Sequence, residues 1–124
     1  MLVGQYRYPT EQYSWEIPEG GAEAGETTSA AARRELAEEA GVIAHDWTEL
    51  GPPIQVSNCI SAEMGYLYLA RDLEETTPNP DGTEVLEVAH IGLDECWRWV
   101  ADGRISDSLT LLALHRYAAW SRRA

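Results

Sequence analysis

A chain of 124 residues has room for one hydrophobic core, and 44% apolar with 24% charged residues is the balance of a folded domain, not of a disordered segment. Nine basic residues, all arginine, stand against 21 acidic ones, a formal net charge of −12. So acidic a surface disfavours nucleic acids and anionic membranes as partners, and a small phosphorylated ligand would need a cation or a local arginine cluster.

Residues 1–124 are read as a single domain. The two cysteines, Cys59 and Cys96, show no CxxC spacing, so neither a zinc site nor a disulfide framework is expected, and a reducing, cytoplasmic location fits. The longest apolar runs fall far short of a membrane span, and the first residues lack the pattern of a signal peptide.

In chain order, residues 2–8 read as a strand ended by Pro9, and residues 15–17 as a short strand closed by Pro18. Glu19-Gly20-Gly21 is a turn. A helix follows to about Ala40, with Thr28 or Ser29 as N-cap and Gly41 at its C-terminal end. Residues 46–50 are a weaker strand candidate. Residues 64–71 alternate two largely apolar sets, which predicts a strand buried on both faces. Residues 74–84, with Pro78, Pro80, Asp81 and Gly82, read as a surface loop, and residues 85–91 as another strand. Asp94 is a candidate cap for a helix of about eight residues ending near Gly103, and Ser106-Asp107 opens the last helix. Leu109, Leu112, Ala113 and Trp120 are its expected core positions, widened by Leu111 and Leu114. Strands alternating with helices give an α/β or α+β sandwich.

The stretch 20–42 carries the chemistry. Glu35, Glu38 and Glu39 are three and four residues apart, so they share about a third of the helix circumference. Like charges at that spacing repel, and the C-terminal end of a helix disfavours negative charge. Two readings account for them: a solvated acidic face neutralised by Arg33 and Arg34, or a carboxylate cluster that holds a hard divalent cation.

The spacing around these residues is Gly20, five residues, Glu26, seven residues, Arg34-Glu35-Leu36, one residue, Glu38-Glu39, one residue, Gly41-Val42. It resembles the Nudix box, GX5EX7REUXEEXGU with U aliphatic, at all nine constrained positions over 23 residues. The flanks, Gly4-Gln5-Tyr6-Arg7-Tyr8-Pro9, Trp15-Glu16-Ile17-Pro18-Glu19-Gly20-Gly21 and residues 99–114, are similar to ADP-ribose pyrophosphatases of that family.

The resemblance implies a Nudix-type α/β/α sandwich with a mixed sheet, here without the N-terminal strand domain of ADP-ribose pyrophosphatases, and a homodimer. It implies hydrolysis of a nucleoside diphosphate linked to another group, ADP-ribose to AMP and ribose 5-phosphate first, with Mg²⁺ or Mn²⁺. Glu35 and Glu39 are the leading metal ligands, Glu38 is ligand and catalytic, and the carbonyl of Glu19 is a further ligand, since hard cations accept backbone oxygens. Glu26 and Arg34 are a supporting salt bridge. Arg7 is expected on substrate phosphate or the distal ribose, and Glu63 near metals and substrate. The catalytic base is expected in the loop before the penultimate strand, Glu84 first and Asp81 second. Trp15 is more readily core than a base-stacking platform. Two alternatives stand beside this: a hydrolase of another nucleotide sugar or a dinucleoside polyphosphate, and a nucleotide-binding module of the same fold with weak turnover.

Overall fold

The computed structural model describes residues 1–77 and 86–123. Three antiparallel sheets organise the described residues. The largest has the strand order β2-β1-β7, joining β1 (Leu2–Arg7), β2 (Gln12–Glu16) and β7 (Glu87–Ala89). The ribbon of β3 (Val42–Glu49) and β6 (Tyr68–Glu75) and the short ribbon of β4 (Ile54–Gln55) and β5 (Met64–Gly65) complete the strands. Among the described residues three helices accompany them: α1 (Thr28–Ala40), α2 (Leu93–Ala101) and α3 (Ser108–Ser121). The mixed α and β class read from the sequence is the class of the structure, and the ladders between described residues are all antiparallel.

Strand β1 divides the core because successive strand residues point to opposite faces. Leu2 packs with Cys96, Ile105 and Leu114, joined by Trp15, Ile17, Ile91 and Trp99, on the side of α2 and α3. Val3 packs with Ala40 and Val42, joined by Leu36, on the side of α1. Trp15 belongs to the first cluster, lying 5.3 Å from the Trp99 ring, so it is core. Cys96 is buried, Cys59 is exposed, and both are free thiols.

Several boundaries differ from expectation, each for a local reason. The cap of α1 is Thr27, whose hydroxyl accepts from the Ala30 N–H; the Thr28 hydroxyl is engaged with the Tyr68 hydroxyl at 2.7 Å instead. Gly41 ends the helix at φ 66°, a left-handed conformation that glycine adopts without a Cβ clash. The stretch 64–71 is not one strand buried on both faces. It breaks at Tyr66 and Leu67, and β6 runs on to Glu75, inside the expected loop, because it pairs with β3 as a two-stranded ribbon and its outer half is exposed. Strand β3 begins at Val42, four residues before the expected start. Helix α2 is capped at Gly92, and Asp94 and Glu95 occupy its first turn, where the helix dipole favours negative charge. In α3, capped by Asp107, the most buried positions are Thr110 and Leu114; the expected Leu114 and Leu111 join the core, while Leu109, Leu112, Ala113 and Trp120 are half-buried.

Candidate active site

The site begins where the turn after β2 meets α1. Glu19 donates its backbone N–H to Glu39 Oε2 at 3.1 Å, tying the turn to the last turn of the helix. Next to it, a Cβ on Gly20 would lie 2.2 Å from the carboxyl carbon of Glu35, so only a residue without a side chain admits that carboxylate against the backbone. Glu39 is almost fully buried at 9% exposure. Glu35, Glu38 and Glu39 thus occupy the part of α1 that faces the Glu19–Gly20 turn or borders it.

Arg34 organises the acidic face. Its Nε and Nη2 donate to the two oxygens of Glu26, each at 2.9 Å, and Nη2 also donates to the carbonyl of Gly21 at 2.9 Å. Its Nη1 donates to Glu35 at 2.9 Å and Glu38 at 3.2 Å. One guanidinium therefore offsets part of the repulsion among three carboxylates and pins the loop to the helix. The hydrogen bonds from Arg34, helped by the Glu23 N–H, pull the Glu26 carboxyl down to about 2, and those to Glu26 and Glu35 push the guanidinium up.

A second acidic group shares Glu19 of the same turn, and its spacing could not be read from the sequence. Glu16, Glu19 and Asp107 each offer a carboxylate oxygen within 4.8 Å of the others. Burial, then the negative charge of Asp107 and of Glu16, raises the Glu19 carboxyl to about 9. Glu16 behaves oppositely. Burial pushes it up, but hydrogen bonds led by Arg7 outweigh this and hold it below its ordinary value. Asp107 accepts from the N–H and the hydroxyl of Thr110, at 2.9 and 2.7 Å, and Thr110 Oγ1 accepts from the Ile17 N–H at 3.1 Å. Helix α3 thereby holds the strand end that leads into Glu19. The sequence signals were a helix-capping Asp107 and an acid, Glu16, in an apolar strand.

The expected site residues fall into three groups. Glu19, Glu26, Arg34, Glu35, Glu38 and Glu39 converge around the turn and α1, with Arg7 close by, its Nη2 3.9 Å from Glu19 Oε1. Glu63 lies on the loop between β4 and β5, in an open cavity of about 520 Å³ lined by Gln55 and residues 58–64. Glu84 and Asp81 lie outside the described residues.

The donor set suits a hard cation. Glu35, Glu38, Glu39 and the Glu19 carbonyl all offer oxygen donors, and the space a Gly20 Cβ would fill is taken by the Glu35 carboxylate. Such a set would hold Mg²⁺ or Mn²⁺ beside the turn.

Comparisons with known proteins agree in kind. The methanol dehydrogenase activator of Bacillus methanolicus is 34% identical over 116 residues, covering 92% of this chain and 62% of that protein. The ADP-ribose pyrophosphatase of Bacillus subtilis (strain 168) is 31% identical over 116 residues, with the same coverage, 92% and 62%. A solved structure described as an ADP compounds hydrolase superposes with a TM-score of 0.87 at 26% identity, covering 98% of this chain and 65% of that one. The chain spans less than two thirds of the length of each of these relatives. No described helix is long and apolar enough to cross a membrane. The NUDIX domain family model matches residues 1–111, and with the box residues gathered around one turn and one helix, the chain belongs to the Nudix family.

Proposed function

We propose that this chain hydrolyses the diphosphate bond of a nucleoside diphosphate linked to another group, with ADP-ribose as first substrate and AMP and ribose 5-phosphate as products. The observation that carries the reading is the packing of Glu35 and Glu39 against the Glu19–Gly20 turn, which gathers carboxylates of α1, oxygen donors of the kind a hard cation takes, at one turn. A bound Mg²⁺ or Mn²⁺ would neutralise diphosphate charge and lower the pKa of a coordinated water. Glu35, Glu38 and Glu39, with the Glu19 carbonyl, are the residues assigned to hold it. Arg34 braces them through Glu26, and Arg7 binds a phosphate or the distal ribose. Glu63 is assigned a place near the metals and the substrate. Glu84, or else Asp81, takes the proton from the attacking water. The names of the relatives support a substrate containing ADP. A cytoplasmic homodimer completes the reading.

The test is product identification. ADP-ribose with Mg²⁺ or Mn²⁺ should yield AMP and ribose 5-phosphate in preference to products from other nucleotide sugars or dinucleoside polyphosphates. Glu39→Gln should remove most turnover with the fold retained. Glu84→Gln should slow kcat with affinity roughly kept; the same effect from Asp81→Asn instead would reassign the base. Calorimetry that finds no Mg²⁺ or Mn²⁺ uptake, with or without nucleotide, would refute the metal site.

A further inference from the structure

Glu16 has no part in the chemistry proposed above, yet it is one of the most buried charged residues described, at 2% exposure. A carboxylate is kept inside a protein only when its charge and lone pairs are matched. Arg7 matches both: its Nε donates to Oε2 at 2.9 Å and its Nη2 to Oε1 at 2.5 Å, a two-pronged fork that fixes the guanidinium plane. The third nitrogen, Nη1, makes no hydrogen bond to a described residue, and the Arg7 side chain remains 40% exposed.

Strand pairing places this fork on the side of the sheet that faces α1. Val3 pairs with Glu16 across the β1–β2 ladder, and Arg7, four residues on, shares the Val3 face, the face that packs on Ala40. Three residues after Glu16, Glu19 binds Glu39 through its N–H. One short segment therefore carries both the partner of Arg7 and the anchor of the helix carboxylate.

We infer that Glu16 is a positioning residue that presents Arg7 to the substrate: it occupies two of the three nitrogens from the buried side and leaves the Nη1 edge for a phosphate of the diphosphate. This deepens the proposed function and rests on Arg7 meeting the substrate. A guanidinium clamped in advance loses little freedom on binding, so loosening it should weaken substrate binding more than the chemical step. The isosteric Glu16→Gln keeps the shape but cannot accept from both nitrogens, because its amide nitrogen is a donor.

The experiment is a double-mutant cycle on the full chain: Arg7→Ala, Glu16→Gln and both together. It reads KM and kcat for ADP-ribose with Mg²⁺, the Kd for ADP without metal, and Tm. Arg7→Ala should raise KM roughly tenfold and Glu16→Gln about fivefold, with kcat within about twofold, and the double variant should be no worse than Arg7→Ala alone. Glu16→Asp, which keeps the charge but draws it back from Arg7, should fall between wild type and Glu16→Gln and stands in if the latter does not fold. A raised KM in Arg7→Ala with unchanged KM in both Glu16 variants overturns the inference, as does a double variant whose effect is the product of the singles. Unchanged KM in Arg7→Ala overturns it through its premise. Failure of the functional reading is separate, because it shows in the wild-type protein as no ADP-ribose turnover and no ADP binding.

Discussion

Replacing Gly20 by alanine is the sharpest probe of the turn against α1. The new Cβ would lie 2.2 Å from the Glu35 carboxyl carbon and 2.2 Å from its Oε1. Ordinary carbon–carbon contact begins near ~3.5 Å, so the carboxylate must retreat by about 1 Å. Gly20 is not among the glycines with positive φ, so alanine meets no backbone strain there. The obstacle is also the tip of a flexible side chain, which can swing aside. Stability should therefore change little, by less than about 1 kcal/mol. Activity should not escape, because a ligand displaced by about 1 Å can cost on the order of 100-fold in rate, equivalent to about 2.7 kcal/mol of transition-state stabilisation. The assay pairs thermal denaturation with kcat/KM for ADP-ribose across a Mg²⁺ titration. Near-wild-type kcat/KM in Gly20→Ala would show that the Glu35 carboxylate does not need this position, and the assigned ligand set would fall with it.

Two further outcomes are expected. Thr110→Val keeps the shape of a fully buried side chain but removes the hydroxyl that accepts from Ile17 and donates to Asp107. An orphaned N–H and a lost bond to a carboxylate should cost about 2–4 kcal/mol and lower Tm by roughly 10 °C, while Thr110→Ser, which keeps the hydroxyl, should lose less than half of that in the same denaturation experiment. The Glu26 carboxyl is depressed from 4.5 to about 2, so its pairing with Arg34 supports the folded state above pH 4.5 and that support fades as pH falls toward 2. Denaturation between pH 2 and 5 should show Glu26→Gln with a flatter pH dependence than wild type; parallel curves would contradict the depressed value.

How much was legible beforehand varies with the range of the forces involved. Helix α1 could be placed because its signals are local: a hydroxyl cap, alanines, and a glycine at the left-handed end. The box spacing likewise put Glu35, Glu38 and Glu39 on one helix face, since 3.6 residues per turn is a property of the backbone alone. The fate of residues 64–71 was not legible. An apolar run reads the same whether a strand is sandwiched or lies in a two-stranded ribbon; among the described residues β6 pairs with β3, and its outer half is exposed.

The gathering of residues around the turn divides along the same line. Sequence spacing within one helix is enough to marshal the glutamates and Arg34, because every member lies within a few residues of the next. Glu16, Asp107 and Thr110 could not be joined to them in advance. They stand on β2 and at the start of α3, some 90 residues apart in the chain, and what brings them together is the docking of α3 on the sheet through Leu114, Ile105 and Leu2. Apolar burial of that kind has no direction and leaves no spacing to read. The Thr110 link to Ile17 follows from that docking and the Arg7–Glu16 fork from the pairing of β1 with β2, and both exist only in the folded chain.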